Sequence, residues 1–209
     1  MQPDTDIIGL VDVQPTFMPG GELPVTDGVA IVPAINRLLP RFAHAFATQD
    51  WHPPGHFSFA STHPGKVPFD SIEGQTLWPD HGIAGSPNAA IHAAIDQTRI
   101  EVVIRKGFRP HLDSYSAFFE NDRTTATGLD GWLKQRGFKR IFFTGLATDF
   151  CVGWSAEDAR RLGYQVVLLE DACRGIGIPT ELGRTTIDDM KVRLAALGCR
   201  FLASSDLAA

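Results

Sequence analysis

Ile141-Phe142-Phe143-Thr144-Gly145-Leu146-Ala147-Thr148-Asp149-Phe150-Cys151 is the stretch that decides the fold: an apolar strand pattern breaks at a glycine and delivers one cysteine to a helix start. Residues 151–162 then read as a helix that stops at Gly163, and a strand feeding a helix through a tight turn is the building unit of α/β proteins. The first N–H groups of a helix lack intrahelical partners and carry partial positive charge. A cysteine there gains thiolate character and sits beside donors that can hold an oxyanion. A buried structural cysteine is the ordinary alternative, and the turn alone does not choose between the two.

Working outward, the same alternation recurs. Ile7-Ile8-Gly9-Leu10-Val11-Asp12-Val13 is a short apolar run ending in a carboxylate, as expected of a strand buried on both faces of a parallel sheet. Further strands are read at 44–48, 101–106, 165–169 and about 200–203, with helices at 29–39, 129–136 and 179–197. This order predicts a three-layer α/β/α fold with a central, mostly parallel sheet. The 209 residues, 44% hydrophobic and 21% charged, suit a single domain spanning 1–209. The exception to the alternation is segment 50–86, rich in Pro, Gly, His and aromatics. A long irregular stretch inside a compact domain is usually functional.

Composition excludes several classes. The net charge of -5 is spread without a basic block, which argues against nucleic acid as a partner. The N-terminus lacks a signal-type pattern and no apolar run approaches the ~20 residues that span a bilayer, so a cytoplasmic protein with no membrane partner is expected. Cys151, Cys173 and Cys199 are odd in number and far apart, against a disulfide framework or a CxxC motif. Neither a P-loop, a GxGxxG turn nor an HExxH helix is present.

In an open parallel sheet, ligands bind beyond the carboxyl ends of the strands, so residues at those ends meet even when distant in sequence. Asp12 follows the first strand, Asp50 the second and Lys106 the third, and Cys151 follows the turn after the fourth. An acid, an amine and a thiol at one edge form a set in which Asp12 can take the thiol proton while Lys106 balances charge. Asp50-Trp51-His52-Pro53-Pro54-Gly55-His56, with His81 further on, offers one carboxylate and three imidazoles. That set suits zinc, iron or manganese, although solvated loop histidines would look the same.

These residues resemble the nicotinamidase branch of the isochorismatase-like cysteine hydrolases, in order and over nearly the whole chain. The match comprises Asp12-Val13-Gln14 with Phe17 and Gly20-Gly21, Thr48-Gln49-Asp50-Trp51-His52 with His56, and Trp78-Pro79-Asp80-His81. It continues through Lys106-Gly107 with Asp113-Ser114-Tyr115-Ser116-Ala117-Phe118, and ends at Gly145 to Val152. The resemblance implies hydrolytic deamidation of nicotinamide to nicotinate and ammonia, with pyrazinamide also accepted and a role in NAD salvage. It assigns catalysis to Asp12, Lys106 and Cys151, the oxyanion to the backbone of Ala147 and Cys151, and one divalent metal to Asp50, His52, His56 and His81. Phe17, Leu23, Trp78 and Tyr115 become walls for the substrate ring, and a cis peptide is expected before Ala147. No NAD cofactor is implied, and both a monomer and a homo-oligomer remain compatible. The metal cluster separates this reading from that of another superfamily hydrolase acting on a different small amide.

Overall fold

The computed structural model describes residues 1–181 and 183–207. Six strands form one sheet: β1 (Asp6–Val11), β2 (Ala45–Asp50), β5 (Val102–Lys106), β6 (Arg140–Leu146), β7 (Gln165–Arg174) and β8 (Arg200–Leu202). Their order is β5-β2-β1-β6-β7-β8 and every pairing between neighbours is parallel. Helices α1 (Ile31–Leu38), α2 (Leu129–Gln135), α3 (Cys151–Arg161) and α4 (Thr186–Ala196) flank it, giving the expected three-layer α/β/α class. A small hairpin, β3 (Ser71–Ile72) and β4 (Gln75–Thr76), completes the set.

The sheet is where the apolar runs go. Every residue of β1 and β2 is buried, and β6 is buried from Ile141 to Leu146. Strand β1 lies between β2 and β6, so the chain leaves it to one side and later returns on the other. That reversal opens a crevice at the carboxyl ends of β1 and β6, the usual ligand position in such sheets. Gly145 makes the close approach possible: its φ is +115°, and a Cβ there would stand 2.0 Å from the Val11 carbonyl oxygen.

Several boundaries differ from the sequence reading. The helix expected over 179–197 is confined to α4, because Pro179 instead pairs with Thr185 and a capping box between Thr185 and Asp188 starts the helix at Thr186. Leu182, within that expected helix, and Ala208 and Ala209 of the expected 1–209 domain lie outside the described residues. Helix 29–39 becomes a 3-10 turn, α1 and a second 3-10 turn, the last beginning just before Pro40. Strand β7 runs past Leu169 to Arg174 through the exposed Glu170 and Asp171. The sequence reading ends this strand at Leu169, yet pairing resumes when Gly145 meets Cys173 after a register shift. The irregular segment holds the β3–β4 hairpin, whose Glu73-Gly74 turn has φ of +49° and +84°, as a type I′ turn requires. Among the described residues no helix is long and apolar enough to cross a membrane.

Candidate active site

The three expected catalytic side chains meet in the crevice. Lys106 Nζ lies 2.8 Å from Asp12 Oδ2 and donates to Cys151 Sγ at 3.3 Å and to the Ser114 carbonyl at 3.0 Å. Asp12 and Lys106 are fully buried, and Cys151 is the first residue of α3. Asp12 sits just beyond β1 with a left-handed φ of +48°, a conformation that short polar residues tolerate. Thr48 on β2 orients it: Thr48 Oγ1 accepts the Asp12 N–H at 3.1 Å and donates to Asp12 Oδ1 at 2.5 Å.

Burial pushes the Cys151 thiol well above its usual range; Lys106 opposes that shift, and the negative charges of Asp12 and Asp50 reinforce it. Burial thus works against the lowering expected from a helix start. Burial also raises Asp12, with Asp50 adding to the effect and Lys106 working against it. A raised carboxylate is a stronger base, which suits it to accept the proton that Cys151 holds. For Lys106 burial acts downward, but Asp12 and Asp50 overcome it and hold the ammonium well above its ordinary value.

The expected metal donors cluster beside this triad. Asp50, His52 and His81 offer ligand atoms within 4.8 Å of one another, and all three are buried. Asp50 Oδ2 stands 3.4 Å from His52 Nε2 and 3.3 Å from His81 Nε2. His56 does not join that group; it forms a second one with His52 and Asp113. The Nδ1 atoms of all three imidazoles are engaged away from the carboxylates, with the Gly107 carbonyl (2.8 Å), the Ser58 hydroxyl (2.8 Å) and the Pro79 carbonyl (2.8 Å) for His52, His56 and His81. Metal-binding histidines are characteristically oriented in this way through their second nitrogen, so the donor set fits a divalent ion. Asp113 went unnoticed as a donor in the sequence because it lies far from the histidines along the chain.

Phe17, Leu23, Trp78 and Tyr115, the four expected wall residues, line one cavity together with Asp50, His81, Ala147 and Cys151. Its free space is about 20 Å³. Trp78 Nε1 donates to the Tyr115 hydroxyl at 3.1 Å, as does Gln75 Nε2 at 3.0 Å, which locks two of the walls together. Burial, reinforced by Asp113, pushes the Tyr115 phenol well above its ordinary range, so it stays protonated. The peptide between Leu146 and Ala147 is cis, at the expected position.

The profile of the isochorismatase domain matches residues 7–198. The chain belongs to the isochorismatase family. Within it, the chain is 48% identical over 171 residues to the nicotinamidase of Acinetobacter baylyi, covering 80% of each chain. Its structure is similar to that of a nicotinamidase/pyrazinamidase from Acinetobacter baumanii, with a TM-score of 0.94, 44% identity and full coverage of both chains. The structure is also similar to that of PnC1 from L. infantum in complex with nicotinate, with a TM-score of 0.86, 38% identity and coverage of 100% of this chain and 97% of that one.

Three more members of the cavity wall, Asp113, Phe150 and Ile176, were not among the expected substrate residues. Phe150 belongs to the quoted turn and its ring packs at 4.9 Å from that of Trp78, a placement the cysteine beside it already suggests. Ile176 comes from the Gly175-Ile176-Gly177 segment after β7, and nothing in its local pattern marks it.

Proposed function

We propose that this protein is a nicotinamidase, hydrolysing nicotinamide to nicotinate and ammonia and accepting pyrazinamide as well. The observation that carries the reading is the junction of two sets at one cavity: Asp12, Lys106 and Cys151 on one side, and the Asp50, His52 and His81 donors on the other.

On this reading Asp12 takes the Cys151 proton as Sγ attacks the amide carbon, and Lys106 balances the negative charge shared by the pair. The N–H groups of Ala147 and Cys151 hold the tetrahedral oxyanion, a contribution of about 3 kcal/mol per donor in related chemistry. Protonated Asp12 then gives its proton to the amide nitrogen, the C–N bond breaks, and ammonia leaves a thioester on Cys151. Asp12 next takes a proton from water, the resulting hydroxide attacks the thioester, and the C–S bond breaks as the thiol is reformed and nicotinate leaves. Asp50, His52 and His81 would hold one zinc, iron or manganese ion, with His56, whose ring lies beside that of His52, as the fourth donor, and the ion would supply a Lewis-acid contact for the pyridine nitrogen. Phe17, Leu23, Trp78 and Tyr115 enclose the ring. The same reading places the reaction in the cytoplasm and in NAD salvage, and requires no NAD cofactor.

The test is ammonia release from nicotinamide by wild type and Cys151→Ala, with metal content measured for both. Activity lost in a still metallated variant supports the thioester route. Retained activity sinks it, and an inactive but metallated wild type points to a different small amide.

A further inference from the structure

Asp149 lies two residues before Cys151 and is buried, yet its carboxylate turns away from the triad. It reaches the segment that follows β7. Asp149 Oδ1 accepts the Ile176 N–H at 3.0 Å, and Oδ2 accepts the Gly177 N–H at 2.9 Å and the Thr186 hydroxyl at 2.5 Å. Thr186, the first residue of α4, closes the arrangement: its Oγ1 accepts the Ile178 N–H at 3.0 Å and its own N–H donates to the Ile178 carbonyl at 2.9 Å. Gly175 permits the approach, because a Cβ there would stand 3.0 Å from Asp149 Oδ1 and 2.6 Å from Ile187 Cδ1.

A carboxylate that accepts three hydrogen bonds is a strong and directional clamp. What it clamps is the backbone of Ile176, whose side chain is a half-buried wall of the cavity. The nucleophile turn and this wall are thus tied by one side chain, so the thiol and the apolar wall of the cavity it shares keep a common frame. With about 20 Å³ of free space, the position of any wall decides which ring substituents fit.

We propose that Ile176 is a specificity-determining residue for the ring bound in this cavity, and that Asp149 and Thr186 are positioning residues that act through it. The inference rests on the reading of the cavity as a pyridine-carboxamide site. Thr186 is outside the cavity lining, so any effect of its hydroxyl on substrate recognition must pass through the clamp.

The experiment compares wild type, Ile176→Ala, Thr186→Val, Thr186→Ser and the Ile176→Ala/Thr186→Val double variant, using nicotinamide and ring-methylated nicotinamides. Thr186→Val is expected to raise KM for nicotinamide about fivefold with kcat retained, the size of one lost hydrogen bond, whereas Thr186→Ser behaves as wild type. Ile176→Ala is expected to shift kcat/KM toward at least one methylated ring by about tenfold relative to nicotinamide. In the Ile176→Ala background, Thr186→Val should add nothing further, because its route is already removed. Additive effects in the double variant, or unchanged discrimination among the rings, would overturn the proposal. A second readout needs no substrate: the rate of Cys151 alkylation by iodoacetamide, followed by mass spectrometry, should rise in both single variants and no further in the double. If wild type fails to hydrolyse nicotinamide, the functional reading falls, and this rate still decides whether the clamp holds Ile176 as a wall of the cavity that contains the thiol.

Discussion

Lys106 Nζ and Asp50 Oδ1 meet at 2.5 Å, so a carboxylate expected among the metal donors also pairs with the ammonium beside the thiol. Its other oxygen faces His52 and His81. Burial acts to raise Asp50, but Lys106 and His52 overcome it and hold the group well below the usual carboxylate range, so it is ionised throughout the working pH range. Asp50→Asn therefore removes a metal donor and breaks a buried ion pair, a change that costs about 3–5 kcal/mol of stability in comparable cases, and kcat/KM should fall by about two orders of magnitude or more. Excess metal should not restore it. His56→Ala, which touches only the second donor group, should recover when metal is added. Ammonia release across a metal titration separates the two outcomes.

Thr48→Val keeps the side-chain shape but deletes the hydroxyl that both accepts from and donates to Asp12. A buried partner left unsatisfied costs about 1–3 kcal/mol, and Asp12 loses the contact that sets its orientation. The expected result is a fall in kcat of about tenfold or more, with KM nearly unchanged, since Thr48 lies outside the cavity lining. A rise in KM at constant kcat would contradict it.

Gly107 follows Lys106 with φ of +65°, and a Cβ there would lie 2.4 Å from His52 Cε1 and 2.6 Å from His52 Nδ1. Gly107→Ala must displace the imidazole shared by both donor groups, and it strains the backbone by about 1 kcal/mol as well. Metal content per chain after dialysis should fall clearly below that of wild type. A fully metallated variant with wild-type activity would refute this account of the glycine.

The Cys173 thiol supplies an alkaline dependence. Burial pushes it up to about 12 from an ordinary 9.0, whereas the unfolded chain releases this proton near the ordinary value. Above pH 9 the unfolded state thus binds fewer protons than the folded one, so the contribution is full below pH 9 and is lost as pH rises toward 12. The three-unit gap corresponds to about 4 kcal/mol at most. Urea unfolding at increasing pH should show a shallower alkaline decline for Cys173→Ala than for wild type. Cys199, raised by burial to about 11, leaves a smaller residual slope.

Much of the fold was legible because short apolar runs, glycine stops and the cysteine turn are local patterns. Where the reading slipped, a non-local contact had the deciding role. The strand read over 165–169 continues through Glu170 and Asp171, because pairing with β6 resumes at Cys173 beyond a register shift. Residues 179–185 read as helix, yet Pro179 pairs with Thr185 and the helix waits for its cap.

For the site, the sequence by itself determined the chemical inventory: Asp12, Lys106 and Cys151 at strand ends, an Asp50-to-His81 donor segment, and aromatic walls in recognisable order. Residue type and spacing carry that information directly. Tertiary structure alone decided that His56 stands with His52 beside Asp113, that Asp50 serves both Lys106 and the imidazoles, and that Ile176 lines the same cavity as Cys151. It also decided that burial raises the Cys151 thiol while Lys106 opposes that shift. Each of these depends on distances between atoms remote in sequence, or on the degree to which water is excluded around them, and no local pattern records either quantity.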